Sequence, residues 1–119
     1  MKNNIFEDVE FPVISAPMFL VSGVDLVVAC CANGIIGSFP ALNQRTTETF
    51  EKWLVQIKTE FERLGCQQRT FGVNLIVHKS NPRVRPDLDM CIKHEVPLLL
   101  TSLGAAKEVI DGVHSYGGK

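Results

Sequence analysis

The sequence predicts an α/β fold of parallel β/α units, and three observations carry that prediction. Short apolar runs alternate with helical patterns along the whole chain, four times over. The runs end in small or polar residues or in proline, as at Ala16-Pro17, Ser38 to Pro40 and Thr101-Ser102. Runs such as Leu98-Leu99-Leu100 are apolar on both faces, which suits a parallel sheet covered on both sides. Strands separated by helices pair in parallel through crossover connections. Where the carboxyl ends of such strands converge, a TIM barrel builds its ligand site. A closed barrel has eight units and about 250 residues, and this chain has 119. The expectation is the N-terminal half of a (β/α)8 barrel over residues 1–119, about four β/α units, stopping at Gly117-Gly118-Lys119 before a fifth strand.

The first strand is expected over Pro12-Val13-Ile14-Ser15-Ala16 and ends at Pro17, which has no N–H to give a ladder. Met18-Phe19-Leu20-Val21 forms a loop, and Ser22 with Asp25 three residues on predicts a reciprocal N-cap. Val24, Leu26, Val27, Val28, Cys30 and Cys31 make the first helix apolar nearly all round, so it is buried on more than one side. Asn33-Gly34 ends it in the left-handed region. Ile35-Ile36-Gly37-Ser38-Phe39 is the second strand, stopped by Pro40. After the loop 41–45, Thr46 or Thr47 caps the second helix. Its apolar stripe is Phe50, Trp53, Leu54, Ile57, Phe61 and Leu64, with Gly65 as terminator. Trp53 reads as packing on this pattern. Phe71 to Val77 is the third strand, and the Pro- and Arg-rich segment 78–86 a longer loop. A short helix runs to His94 with Pro86 in its first turn. Pro97-Leu98-Leu99-Leu100 is the fourth strand, and Ser102 is expected to cap a last helix with Leu103, Ala106, Val109, Ile110 and Val113 inward.

Composition narrows the function classes. The chain is 45% hydrophobic and 21% charged, as a globular interior requires, and its net charge of −1 carries no basic block. Nucleic acid and anionic membrane surfaces are therefore not expected as partners. No apolar run approaches the roughly 20 residues that span a bilayer, and the N-terminus lacks the apolar core of a signal peptide. A cytoplasmic protein is the expectation. Cys30 and Cys31 are adjacent while Cys66 and Cys91 stand alone, without the C-x-x-C spacing of zinc or dithiol sites. No metal ligand set is read, and the cysteines are taken as small buried hydrophobes. The first strand is not followed by G-x-G-x-x-G, and no P-loop occurs.

The candidate chemistry stands at the strand ends. Ala16-Pro17-Met18, Ser38, Asn74 and Thr101-Ser102 would let a flat ligand approach backbone N–H groups. Asn74 offers a carbonyl acceptor and amide donors, which suit the imide-like edge of a flavin or equally a neighbouring backbone. The ordered words Pro12-Val13-Ile14-Ser15-Ala16-Pro17-Met18, Gly34-Ile35-Ile36-Gly37-Ser38, Phe71-Gly72-Val73-Asn74-Leu75 and Pro97 to Gly104 resemble the N-terminal part of the nitronate monooxygenases, formerly 2-nitropropane dioxygenases. The resemblance implies an FMN-binding barrel that oxidises alkyl nitronates with molecular oxygen to a carbonyl compound and nitrite. It implies cofactor contacts at Ala16, Pro17, Met18, Ser38 and Asn74, with Ser15, Ala16 and Ser38 the lesser candidates at the mouth, and places the Met18 N–H against a flavin ring nitrogen. It assigns no catalytic residue here. The family's catalytic His would lie beyond Lys119, and His78, His94 and His114 do not match it. His78 alone is expected near the mouth; Lys79, Arg83 and Arg85 could contact an anion but read first as a solvated loop. The other readings are a flavin-type enoyl reductase or another flavin barrel, and a non-catalytic half-barrel interaction module. Open strand edges call for the remainder of the barrel or a homo-oligomer partner to cover them.

Overall fold

Three parallel strands form the sheet in the order β1 (Gly37–Pro40), β2 (Phe71–Ile76) and β3 (Leu98–Ser102). The computed structural model describes residues 4–67 and 69–119. Between the strands run α1 (Val24–Ala32), α2 (Thr47–Leu64), α3 (Val84–Lys93) and α4 (Lys107–His114). Spatial order follows chain order, with a helix in each crossover. A doubly wound sheet would reverse direction at a switch point; this one does not.

The expected first strand is reduced to one parallel bridge, Ile14 to Ile36. Ser15 N–H donates to the Ile36 carbonyl at 2.8 Å and Ile36 N–H to the Val13 carbonyl at 3.0 Å. Pro12 and Pro17 bracket the segment without N–H groups, so the ladder cannot lengthen. At the far edge, Lys119 N–H donates to the Pro97 carbonyl at 3.0 Å, and Leu99 N–H donates to the Lys119 carbonyl at 2.8 Å. That alternation is the parallel pattern, so Lys119 lies alongside the start of β3 in the same direction.

Register sorts the side chains onto two faces. Phe39 pairs with Val73 and Val73 with Leu99, while Ser38 pairs with Gly72 and Gly72 with Leu98. Phe39, Phe71, Val73 and Leu75 join the core made by Val27, Cys31, Phe50, Leu54, Ile57, Leu88 and Val109 from all four helices. The helices therefore cover one face, and Ser38, Gly72, Asn74, Leu98 and Leu100 share the other. This is the inside-versus-outside division of a barrel wall. Gly37 makes the contact of β1 with α1 possible: a Cβ there would come within 2.7 Å of the Val27 backbone.

Helix ends confirm some expectations and correct others. Thr46 and Thr49 form the capping box of α2, and Gly65 ends it at φ 69°. Trp53 packs edge-on against Phe39 with ring centroids 5.5 Å apart, as its place on the stripe requires. The N-cap of α1 is Gly23, not Ser22, with no side-chain cap. The N-cap of α4 is Ala106, not Ser102, because Ser102 is still in β3. Leu103 does not face inward: it is 72% exposed, and Ile110 is 44% exposed. No helix among the described residues is long and apolar enough to cross a membrane.

One buried ion pair links α3 to the turn after β1. Asp87 is 1% exposed, and its Oδ1 accepts from Thr47 Oγ1 at 2.7 Å and from Arg83 Nη2 at 3.0 Å. Asp87 Oδ2 lies 2.9 Å from Arg83 Nη2 but out of line for a hydrogen bond, so that attraction is Coulombic. Arg83 also donates through Nη1 to the Gln44 carbonyl and through Nη2 to the Ala41 carbonyl. The anion-contact expectation for Arg83 is corrected: its guanidinium is consumed inside the fold. Arg85 pairs with Asp89 at 3.0 Å on the surface.

Removing one partner of a buried pair strands the other charge. Arg83→Ala is expected to lower unfolding free energy by about 3–5 kcal/mol. Arg83→Met combined with Asp87→Leu should lose much less, because neither charge is left behind. Urea unfolding of the two variants checks this; equal losses would show that packing, not charge, holds the turn.

Candidate functional site

The carboxyl ends of the strands gather the expected residues on one rim, at different depths. Ala16 and Met18 are exposed and Pro17 is half-buried, so this segment forms the outer lip. Ser38 lies beneath it at 1% exposure, and its hydroxyl donates to the Ser15 carbonyl at 2.5 Å. Ser38 therefore holds the lip from below and offers it no free hydroxyl. Asn74 pairs in register with Pro40 on one side and Leu100 on the other, on the same face as Ser38. Gly72 lets its neighbours close in there: a Cβ would press on Ser38 Cβ at 3.2 Å and Leu98 Cδ2 at 3.4 Å.

Asn74 has a fixed polarity. Its Nδ2 donates to the Leu100 carbonyl at 2.8 Å and to Ser102 Oγ at 3.1 Å. A carbonyl oxygen only accepts, so the amide cannot be flipped. Asn74 Oδ1 accepts no hydrogen bond among the described residues and is not sealed from solvent. The reading in which Asn74 satisfies a neighbouring backbone is the one seen here: its donors serve β3, and its carbonyl oxygen is left without a partner among the described residues.

The lip is braced by residues with no distinctive sequence signal. Met18 N–H donates to Ser22 Oγ at 2.8 Å, so it is already engaged and would have to exchange partners to meet a flavin nitrogen. Ser22 is 1% exposed and lies under the lip. Asn43, in the short 3-10 turn Ala41–Asn43, donates to the Met18 carbonyl at 3.0 Å and the Ser22 carbonyl at 2.8 Å, and accepts from Leu20 N–H at 3.0 Å. In sequence, Asn43 is one polar residue in a loop; nothing in its spacing marks it.

The rim is apolar and in part strained. Phe19, Leu20 and Val21 are 70%, 76% and 68% exposed. Leu20 and Leu103 have φ of 62° and 60°. The left-handed region costs a non-glycine residue roughly 1–2 kcal/mol, so the surrounding contacts must hold these two in place. An open groove of about 620 Å³ runs past Phe19, Leu42, Ile76, Arg83 and Leu103.

The histidines divide. His78 is exposed just past β2; its Nδ1 accepts from Ser80 N–H at 3.2 Å, which leaves the proton of the neutral ring on Nε2. His94 lies away from the rim, 2.8 Å from Glu51 Oε1. Hydrogen bonds from Lys93 and His94 hold the Glu51 carboxyl below its usual range. Lys79 is exposed near the rim and has no hydrogen-bond or ion-pair partner among the described residues. The four cysteines are free, and burial pushes the Cys31 thiol up to about 11, so it is inert at neutral pH.

No protein-family model and no curated protein matches this chain. Solved structures do. FabK from Thermotoga maritima superposes with a TM-score of 0.80 at 19% identity, over 96% of this chain and 34% of that one. A point mutant of the same protein gives 0.78 at 19% identity, over 96% and 36%. The fold is a fragment of a TIM barrel. The chain spans about a third of the length of either FabK structure.

The polarity of Asn74 gives the rim a pH signature. In Asn74→Asp an ionised carboxylate would face the Leu100 carbonyl, whereas its protonated form could donate. The variant should lose about 1–3 kcal/mol at pH 7 and recover part of that as pH falls through the raised pKa of Asp. Asn74→Leu should show no such recovery. Urea unfolding at pH 7 and pH 4 checks this; parallel behaviour of the two variants would mean that Asn74 does not donate to β3.

Proposed function

We propose that this chain forms part of an FMN-dependent oxidoreductase of the nitronate monooxygenase and enoyl reductase type. The observation that carries the proposal is Asn74 Oδ1, an open acceptor on the rim that also bears the Ala16-Pro17-Met18 lip. The residues fit the cofactor. An imide N–H of the isoalloxazine matches an acceptor whose donors are fixed elsewhere, and Ala16 and Pro17 offer a flat, small-residue edge. Ser38 and Ser22 support that edge through the Ser15 carbonyl and the Met18 N–H, and Ser38 keeps acceptor capacity for a contact of its own. FMN, when bound, supplies the electron transfer. This chain's own residues would hold it: Asn74 would accept from its imide N–H, and the Ala16-Pro17-Met18 lip would lie along its edge.

The reaction we propose first is oxidation of an alkyl nitronate by molecular oxygen to a carbonyl compound and nitrite, in the cytoplasm. Its support is the ordered strand-end words. A flavin-dependent enoyl reductase is as well supported, because the likeness to FabK favours it. Residues 1–119 are the opening units of the barrel in either reading. The remainder of the barrel, or a second copy, covers the outer edge of β3 beyond the two bonds that Lys119 makes to Pro97 and Leu99.

Two measurements test this. A protein carrying this chain with the rest of its barrel should be yellow and should release nitrite from a nitronate. Nicotinamide-dependent reduction of an enoyl thioester without nitrite would select the second reading, and a colourless, inactive protein would exclude both. The 119-residue chain by itself should self-associate in sedimentation through its open edge and bind FMN only weakly. A stable monomer that binds FMN tightly would overturn the partial-barrel assignment.

A further inference from the structure

We propose that Asn43 is a positioning residue for the candidate rim: its side-chain amide holds the Met18–Ser22 loop in the one shape that presents Ala16-Pro17-Met18 to a ligand. The cofactor consequence rests on the flavin reading above; the loop geometry does not.

Asn43 uses both donors and its acceptor on a single loop. The donors meet two carbonyl oxygens, of Met18 and Ser22, and Oδ1 meets the Leu20 N–H. Flipping the amide would set oxygen against oxygen twice and N–H against N–H once, so its orientation is unique. Aspartate keeps the acceptor and loses both donors, and alanine loses everything. The bond to Leu20 N–H holds the residue that the backbone resists most, at φ 62°. The bond to the Met18 carbonyl acts on a lip residue directly and adds to those the same carbonyl accepts from Val21 N–H at 3.3 Å and Ser22 N–H at 3.0 Å. Phe19, between those two points, is thereby placed on the groove shared with Leu103.

The amide is itself anchored. Its turn is gripped from the opposite side by Arg83, which donates to the Ala41 and Gln44 carbonyls and is fixed by Asp87. A continuous set of bonds thus runs from buried Asp87 to the lip. A supporting shell of this kind keeps a binding edge in place before the ligand arrives.

NMR of the 119-residue chain tests the proposal. In the native chain Leu20 should give the strong intraresidue amide–Hα NOE of a left-handed residue, and a slowly exchanging amide. In Asn43→Ala the NOE should weaken and exchange of the Leu20 amide should speed about tenfold or more, while Val73 in the middle of β2 keeps its protection. Asn43→Asp should retain much of the Leu20 protection and still shift the Met18 and Ser22 resonances; it also decides the matter if the alanine variant unfolds. Titration with FMN should move the Asn74 side-chain amide and Ala16 to Met18 in the native chain. In Asn43→Ala the shifts at the lip should shrink more than those at Asn74. An unchanged Leu20 in the alanine variant overturns the proposal, and so does a freed loop with an unaltered FMN response. Leu20 and Met18 in the variants decide whether Asn43 sets the loop even where FMN moves nothing in the native chain, because the flavin reading itself expects only weak binding by this chain alone.

Discussion

The buried Arg83–Asp87 pair is the constraint on which the rim depends. A carboxylate at 1% exposure is tolerable only with its countercharge in place. Meeting that need draws Arg83 inward from a segment that would otherwise be a solvated loop. The guanidinium then has donors left over, and the backbone carbonyls of Ala41 and Gln44 take them. The turn after β1 is thereby pinned to the start of α3, although the two lie about forty residues apart in sequence. Thr47 at the start of α2 closes the same knot through Asp87 Oδ1.

From that turn, order spreads to the part of the molecule that ought to meet a ligand. Asn43 passes it to the Met18–Ser22 loop, and Ser22 passes it to Met18 itself. The sheet supplies the other half. Parallel register puts Ser38, Gly72 and Asn74 on the face away from the helices. Gly72 lets Ser38 and Leu98 pack closely there, and Asn74 straps β2 to β3 while keeping one acceptor open. The atoms that stiffen the sheet here belong to the same side chain whose remaining acceptor the proposed function uses. A polar group this deep is retained when its bonds are nearly all satisfied and the remaining one has a use.

Much of the fold was legible in the sequence. The stripe Phe50, Trp53, Leu54, Ile57, Phe61 and Leu64 could only be a helix with one buried face; Phe50, Leu54, Ile57 and Phe61 are buried, Trp53 is half-buried, and Leu64 in the last turn is exposed. Thr46 and Gly65 mark its ends through local chemistry alone. Ser22 and Ser102 misled, since a serine before a helical pattern looks like a cap whatever else competes for its hydroxyl. Ser22 was claimed by Met18 N–H, and Ser102 by the Asn74 amide. The first strand was over-read for a similar reason: its apolar character was visible, but whether its N–H groups find partners depends on a neighbour.

The sequence by itself determined the alternation of strands and helices, the parallel sheet that alternation demands, and the rim where Ala16-Pro17-Met18 and Asn74 meet. These follow from periodicity, proline and glycine, which act over a few residues. Only the tertiary structure decided which way the Asn74 amide points, that Met18 N–H is engaged, that Arg83 is internal and that Asn43 matters. Each of those outcomes is a competition for hydrogen bonds among groups remote in sequence, and burial settles such competitions once the elements have packed.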